Sequence, residues 1–165
     1  MFKRATLILI LAFSLITAFS GCGQTPPKVG EPPPKVTLSD LAGESVTLPD
    51  HFKGRVVLIR FWVDWCATCA REMPSLDTIF HKYKDKGFII FAINIGQSRD
   101  IAEAFATKLK ISYPVLLDPS SHVTKRYGVT VVPTTFIVDK RGVIKNKILG
   151  EIGNEALEKM ILELL

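Results

Sequence analysis

Apolar residues recur along this chain in two distinct rhythms. Val56–Trp62 is apolar except for Arg60, and Phe88–Ile95 forms a second such run, as expected of strands buried on both faces. Ahead of them, Val36-Thr37-Leu38 and Ser45-Val46-Thr47-Leu48 alternate apolar with polar around Gly43, which predicts a hairpin or paired edge strands. Val115-Leu116-Leu117 predicts a shorter strand. Thr134–Val138 and residues 143–149 predict two more, joined by the hairpin signal Asp139-Lys140-Arg141-Gly142. The helical rhythm lies between these runs. Cys69, Met73, Leu76, Phe80 and Tyr83 form one inward stripe that ends at Lys86-Gly87. Ile101, Phe105 and Leu109 mark an inserted helix. Residues 122–126 predict a brief helix after a turn at Asp118-Pro119, and Leu157, Met160, Ile161 and Leu164 a closing one. This order implies an α/β sandwich with mixed pairing in its sheet.

The first residues follow neither rhythm. Met1-Phe2-Lys3-Arg4 is a basic start, and residues 5–19 form an uncharged, mostly apolar stretch. Phe19-Ser20-Gly21-Cys22 then has the form of a lipobox, with Phe19 where Leu is usual. The apolar stretch is shorter than the roughly 20 residues that span a bilayer. Residues 1–21 are therefore predicted to be a lipoprotein signal peptide and Cys22 the acylated residue, which places the rest outside the cytoplasm on a membrane anchor. Residues 24–35 carry five prolines and predict a semi-rigid polyproline spacer of about 3 Å per residue. The folded domain is expected over residues 36–165.

Charge and cysteine count narrow the chemistry. The formal charge of +5, less Lys3 and Arg4, leaves +3 on 144 residues after position 21, with acids interspersed among the bases. That pattern argues against nucleic acid as a partner. Of three cysteines, Cys22 is assigned to lipid, which leaves Cys66 and Cys69. An exported domain stapled for stability carries more cysteines at longer separations, and a bridge across so short a loop stabilises little.

Trp65-Cys66-Ala67-Thr68-Cys69 sits where the first buried strand gives way to the first helix. A helix start carries partial positive charge and unpaired N–H groups, which favour a thiolate. The two-residue spacer lets both sulfurs meet, so attack and resolution can occur within one loop. A lone Cys-x-x-Cys also suits half of a zinc site. That reading needs two further ligands, and His51, His81 and His122 show no ligand spacing.

Three segments together resemble the TlpA/ResA-like branch of the thioredoxin superfamily, over residues 36–165. They are Phe61-Trp62 leading into Trp65-Cys66-x-x-Cys69, then Glu72 and Pro74, then Gly128 through Pro133 to Asp139 and Gly142. The resemblance implies a three-layer α/β/α sandwich with a mixed central sheet, an N-terminal hairpin and an inserted helix–strand unit. It implies a redox-active disulfide between Cys66, the attacking thiolate, and Cys69, the resolving thiol. Glu72, one helical turn beyond Cys69, would handle a proton or bias that thiol. Pro133 would be cis, Val132 would offer a β-like docking edge, and Trp65 would shape the contact surface. No cofactor or metal is implied beyond the dithiol. The partners implied are protein disulfide clients, apocytochrome c among them, and a membrane thiol donor of electrons.

Two residues depart from the pattern. Thr68 stands where many relatives have proline. Arg60 stands where thioredoxin has an acid; it cannot accept that acid's proton and is expected to reach a carboxylate or solvent. Asp64 reads as a surface turn acid. Two other activities fit the residues less well. A thiol peroxidase of the superfamily carries a Pro and a Thr ahead of its cysteine, and both are missing here. A copper carrier uses three residues between its cysteines and a downstream His; His122 is available, but the spacing is two.

Overall fold

The computed structural model describes residues 25–165. The predicted signal peptide and Cys22 lie outside the described residues. Strands β1 (Val36–Asp40), β2 (Ser45–Leu48), β3 (Val56–Trp62), β4 (Phe88–Ile95), β5 (Val115–Asp118), β6 (Thr134–Val138) and β7 (Ile144–Leu149) join in one sheet, ordered β2-β1-β5-β4-β3-β6-β7. Helices are α1 (Ala67–Tyr83), α2 (Arg99–Lys108), α3 (His122–Arg126) and α4 (Asn154–Leu162). β3, β4 and β5 run parallel, while β1, β2, β6 and β7 pair antiparallel to their neighbours. The mixed sheet of a thioredoxin-like sandwich results.

Alternation along β3 sorts its side chains between two cores. Val56, Leu58 and Trp62 face the layer built by α1, α2 and α4, where Trp62 stacks on Phe105 at 4.9 Å. Val57, Ile59 and Phe61 face the opposite layer, with Tyr127 after α3 and Phe52 of a short 3-10 turn. Position 60 therefore points at α1, among apolar neighbours.

Three expectations need correction. Phe105 is buried as expected, but Ile101 is 42% exposed and α2 buries Ala102 and Ala106 beside Phe105, because a helix starting at Arg99 turns that neighbouring stripe toward the sheet. Along α1, Phe80 is only half-buried while Ile79 and Glu72 are buried, so the inward face is wider than the apolar stripe. The third concerns the spacer. Residues 25–35 lie against the domain rather than standing free of it. The Gly30 N–H donates to the Ile144 carbonyl at 2.8 Å, and the Ile144 N–H donates to the Glu31 carbonyl at 2.9 Å. Pro27 and Pro33 are buried. Ile144 opens the edge strand β7, whose free backbone groups need partners, and a short strap supplies them. Pro26 passes over Gly128, where φ is +62° and an added Cβ would meet Pro26 at 2.5 Å. Among the described residues, no helix is long and apolar enough to cross a membrane.

Candidate active site

β3 delivers the chain to the cysteines, and Cys66 is the N-cap of α1. Its backbone is extended, and its sulfur accepts the Cys69 N–H at 3.1 Å. A sulfur in that role faces the unpaired N–H groups of the helix start. Cys66 and Cys69 are joined as a disulfide, with Cα atoms 5.2 Å apart. Cys69 is fully buried and Cys66 is 7% exposed. Both residues are thus buried, Cys66 slightly less so, and they belong to one helical turn.

Trp65, immediately before them, is 75% exposed, which sets aside a core role for its ring. It lines a shallow apolar groove of about 230 Å³ with Val63, Ile95, Thr124 and residues 129–132. Val132 is half-buried there, and the Val132–Pro133 peptide bond is cis. Antiparallel pairing of Phe61 with Thr134 brings the start of β6 beside the end of β3, so Val132 and Pro133 share one end of the sheet with the cysteines. The Pro133 carbonyl accepts the Gly150 N–H at 2.8 Å, which ties this segment to the end of β7. The Leu48–Pro49 bond is also cis, and nothing in the sequence pattern singled it out.

Arg60 and Glu72 meet inside the protein. The guanidinium is fully buried and Glu72 is 7% exposed. One Nη of Arg60 donates to Glu72 Oε2, and the other donates to the Thr135 hydroxyl at 3.1 Å. Glu72 Oε1 accepts the Ile152 N–H at 2.9 Å. Arg60 therefore reaches the carboxylate, not solvent, and Glu72 is no solvated helix-face acid. Tyr113 lies close by, its hydroxyl donating to the Met73 carbonyl at 3.2 Å. Burial pushes the Tyr113 phenol up, with the Arg60 charge pulling the other way, so it stays a neutral donor.

Some residues that hold this end of the sheet were not singled out in the sequence. Gln97 Nε2 donates to Asp64 Oδ1 at 2.6 Å, while Gln97 Oε1 accepts the Asp64 N–H at 3.1 Å and Asn94 Nδ2 at 2.8 Å. Asp64 thus anchors the turn before the cysteines to the loop after β4. A polar Asn94 inside an apolar strand was the available signal. The three histidines are not brought together: His51 bonds the Thr47 backbone, and His81 faces Ser112 and Asp77.

An oxidised Cys-x-x-Cys at a helix start, on a sandwich of this topology, defines the class: a thioredoxin-fold thiol–disulfide oxidoreductase. The Redoxin family model matches residues 28–161. The thiol-disulfide oxidoreductase ResA of Geobacillus kaustophilus is 34% identical over 95% of this chain and 91% of its own length. A Chlorobium tepidum protein proposed to be the thiol:disulfide interchange protein DsbE superposes with a TM-score of 0.78 at 32% identity, covering 83% of this chain and 97% of that one. The thioredoxin domain of a thiol-disulfide oxidoreductase from Bacteroides vulgatus gives 0.73 at 27% identity, covering 83% and 97%. The chain belongs to the Redoxin family, within its TlpA/ResA-like thiol–disulfide oxidoreductases.

Proposed function

We propose that the protein is a lipid-tethered, extracytoplasmic disulfide reductase. In this reading Cys22 carries the lipid after removal of residues 1–21, and the electrons come from a membrane thiol donor. Cys66 and Cys69 are the catalytic dithiol. The Cys66 thiolate attacks one sulfur of a client disulfide, and the other client sulfur leaves with the electron pair. Cys69 then attacks the Cys66 sulfur of the mixed disulfide. The second client sulfur departs as a thiolate, the client has gained two electrons, and Cys66–Cys69 is oxidised.

The observation that carries this reading is a Cys66–Cys69 disulfide at a helix start, beside an exposed tryptophan and an apolar groove. Trp65, Val132 and Pro133 form the docking edge for an extended client segment, with apocytochrome c as the client class suggested by the resemblance. Glu72 biases the Cys69 charge one turn away. With both its oxygens occupied by donors, it is better placed to set a field than to shuttle a proton.

The test is equilibration of the reduced and oxidised protein with dithiothreitol. A reduction potential near −270 mV supports a reductant, whereas one near −120 mV supports an oxidant. Cys69→Ala strands the mixed disulfide, so captured clients can be identified by mass. Loss of membrane association in Cys22→Ser tests the anchor separately.

A further inference from the structure

The Arg60–Glu72 pair has no obvious reason to exist for stability. Both charges are buried, and replacing such a pair with apolar residues is commonly neutral or stabilising. Arg60 Nε is buried without a partner among the described residues, which adds to the expense. Yet the pair ties together the parts that must cooperate in exchange. Arg60 stands on β3, whose end leads to Cys66. Glu72 follows Cys69 by one turn of α1. Thr135, the antiparallel partner of Arg60, stands two residues after Pro133.

We infer that Arg60 is a positioning residue for the second half of the exchange, holding and neutralising the Glu72 carboxylate so that Cys69 can ionise and release the client. The physical reason is a sign argument. Residues three apart on a helix are neighbours, and a carboxylate there opposes a thiolate on Cys69. The permanently charged guanidinium cancels that opposition from beneath, while its bond to Thr135 fixes where the charge lies. The other charged or titratable groups around Glu72 leave this balance in place. Arg71 and Glu151, at the outer mouth, pair with each other at 2.8 Å. Tyr113, on the segment before β5, stays neutral, and Cys66 caps the helix beyond Cys69.

The inference rests on the exchange reading above, and one experiment separates the two. Reduced protein is mixed rapidly with 5,5′-dithiobis(2-nitrobenzoate). Attack by Cys66 releases one thionitrobenzoate, and resolution by Cys69 releases the second. Arg60→Met should slow the second phase about tenfold at neutral pH and raise its pH midpoint by about one unit. Glu72→Gln should lower the midpoint, because it leaves an unopposed cation. The double variant should return toward the unsubstituted protein. Arg60→Lys, which keeps the charge and loses the fork, should restore the midpoint.

A merely structural brace would lower the melting temperature of these variants and leave every midpoint where it was. That result overturns the inference. Should Arg60→Met fail to fold, Glu72→Gln and Arg60→Lys decide it alone, and an unmoved midpoint in Glu72→Gln is sufficient to reject it. Release of only one thionitrobenzoate per molecule of the unsubstituted protein would instead reject the exchange reading, and the role for Arg60 with it.

Discussion

The first two turns of α1 do opposite things with polar groups. At the first turn, Cys66 sits at a helix start with its sulfur on a backbone N–H, next to an exposed Trp65. One turn deeper, Glu72 is enclosed, with a guanidinium and an amide N–H on its two oxygens. The outer turn is built for contact and turnover. The inner one is built to keep charge still. In the proposed exchange, reactivity at the outer turn depends on the fixed charge arrangement of the inner one.

The largest expected effect breaks the outer turn. Cys66→Ser should abolish disulfide exchange, to the background rate in an insulin-reduction assay, while the melting temperature of the reduced protein changes little. Persistent exchange would move the chemistry elsewhere. Breaking the inner turn should show in stability as well as in the resolving step. Arg60→Met leaves a buried carboxyl without its partner and should cost about 3–5 kcal/mol in urea unfolding. Arg60→Met/Glu72→Gln should recover a substantial part of that loss, because no charge is left unpaired.

Trp65→Ala sharpens the comparison from the client side. Its ring is mostly in solvent, so unfolding should be nearly unaffected while KM for a protein client rises several-fold. Gly128→Ala should cost about 1 kcal/mol, since it forces a side chain into a left-handed backbone conformation. It also pushes against Pro26, so residues 25–35 should become sensitive to protease.

The smallest effect is a control far from the site. The Lys82 ammonium bonded to Glu158 holds that carboxyl below its ordinary range, with Tyr83 assisting. A lowered carboxyl stabilises the fold above its unfolded-state pKa, and the contribution disappears as pH falls through the folded value. Glu158→Gln should therefore lower the melting temperature slightly at neutral pH and not at all in strong acid. Exchange rates should stay unchanged.

Local pattern made much of this readable. β3 and β4 were legible as buried strands at their observed bounds, because an apolar run of that length suits a strand covered on both faces. The thiol pair was legible because its spacing and its place at a strand-to-helix junction are themselves local. Arg60 and Glu72 were each visible, as a charge in a buried strand and as an acid after Cys69. Their contact was not, because it joins two elements and no period links them. Gln97 was hidden for the same reason, lying in a loop where polarity is ordinary. The strap was hidden for a different reason. Proline-rich composition suggests an unpaired spacer, yet Gly30 and Glu31 still offer a donor and an acceptor to the edge of β7.

The central claim is that Cys66 is held as a reachable thiolate at the start of α1. Its most direct test is the rate of iodoacetamide alkylation of Cys66 in the reduced protein, followed against pH and compared with a free peptide thiol. The account predicts markedly faster labelling at neutral pH, with a midpoint below the ordinary cysteine value of about 8.5. Labelling no faster than the peptide, with an unshifted midpoint, would contradict it.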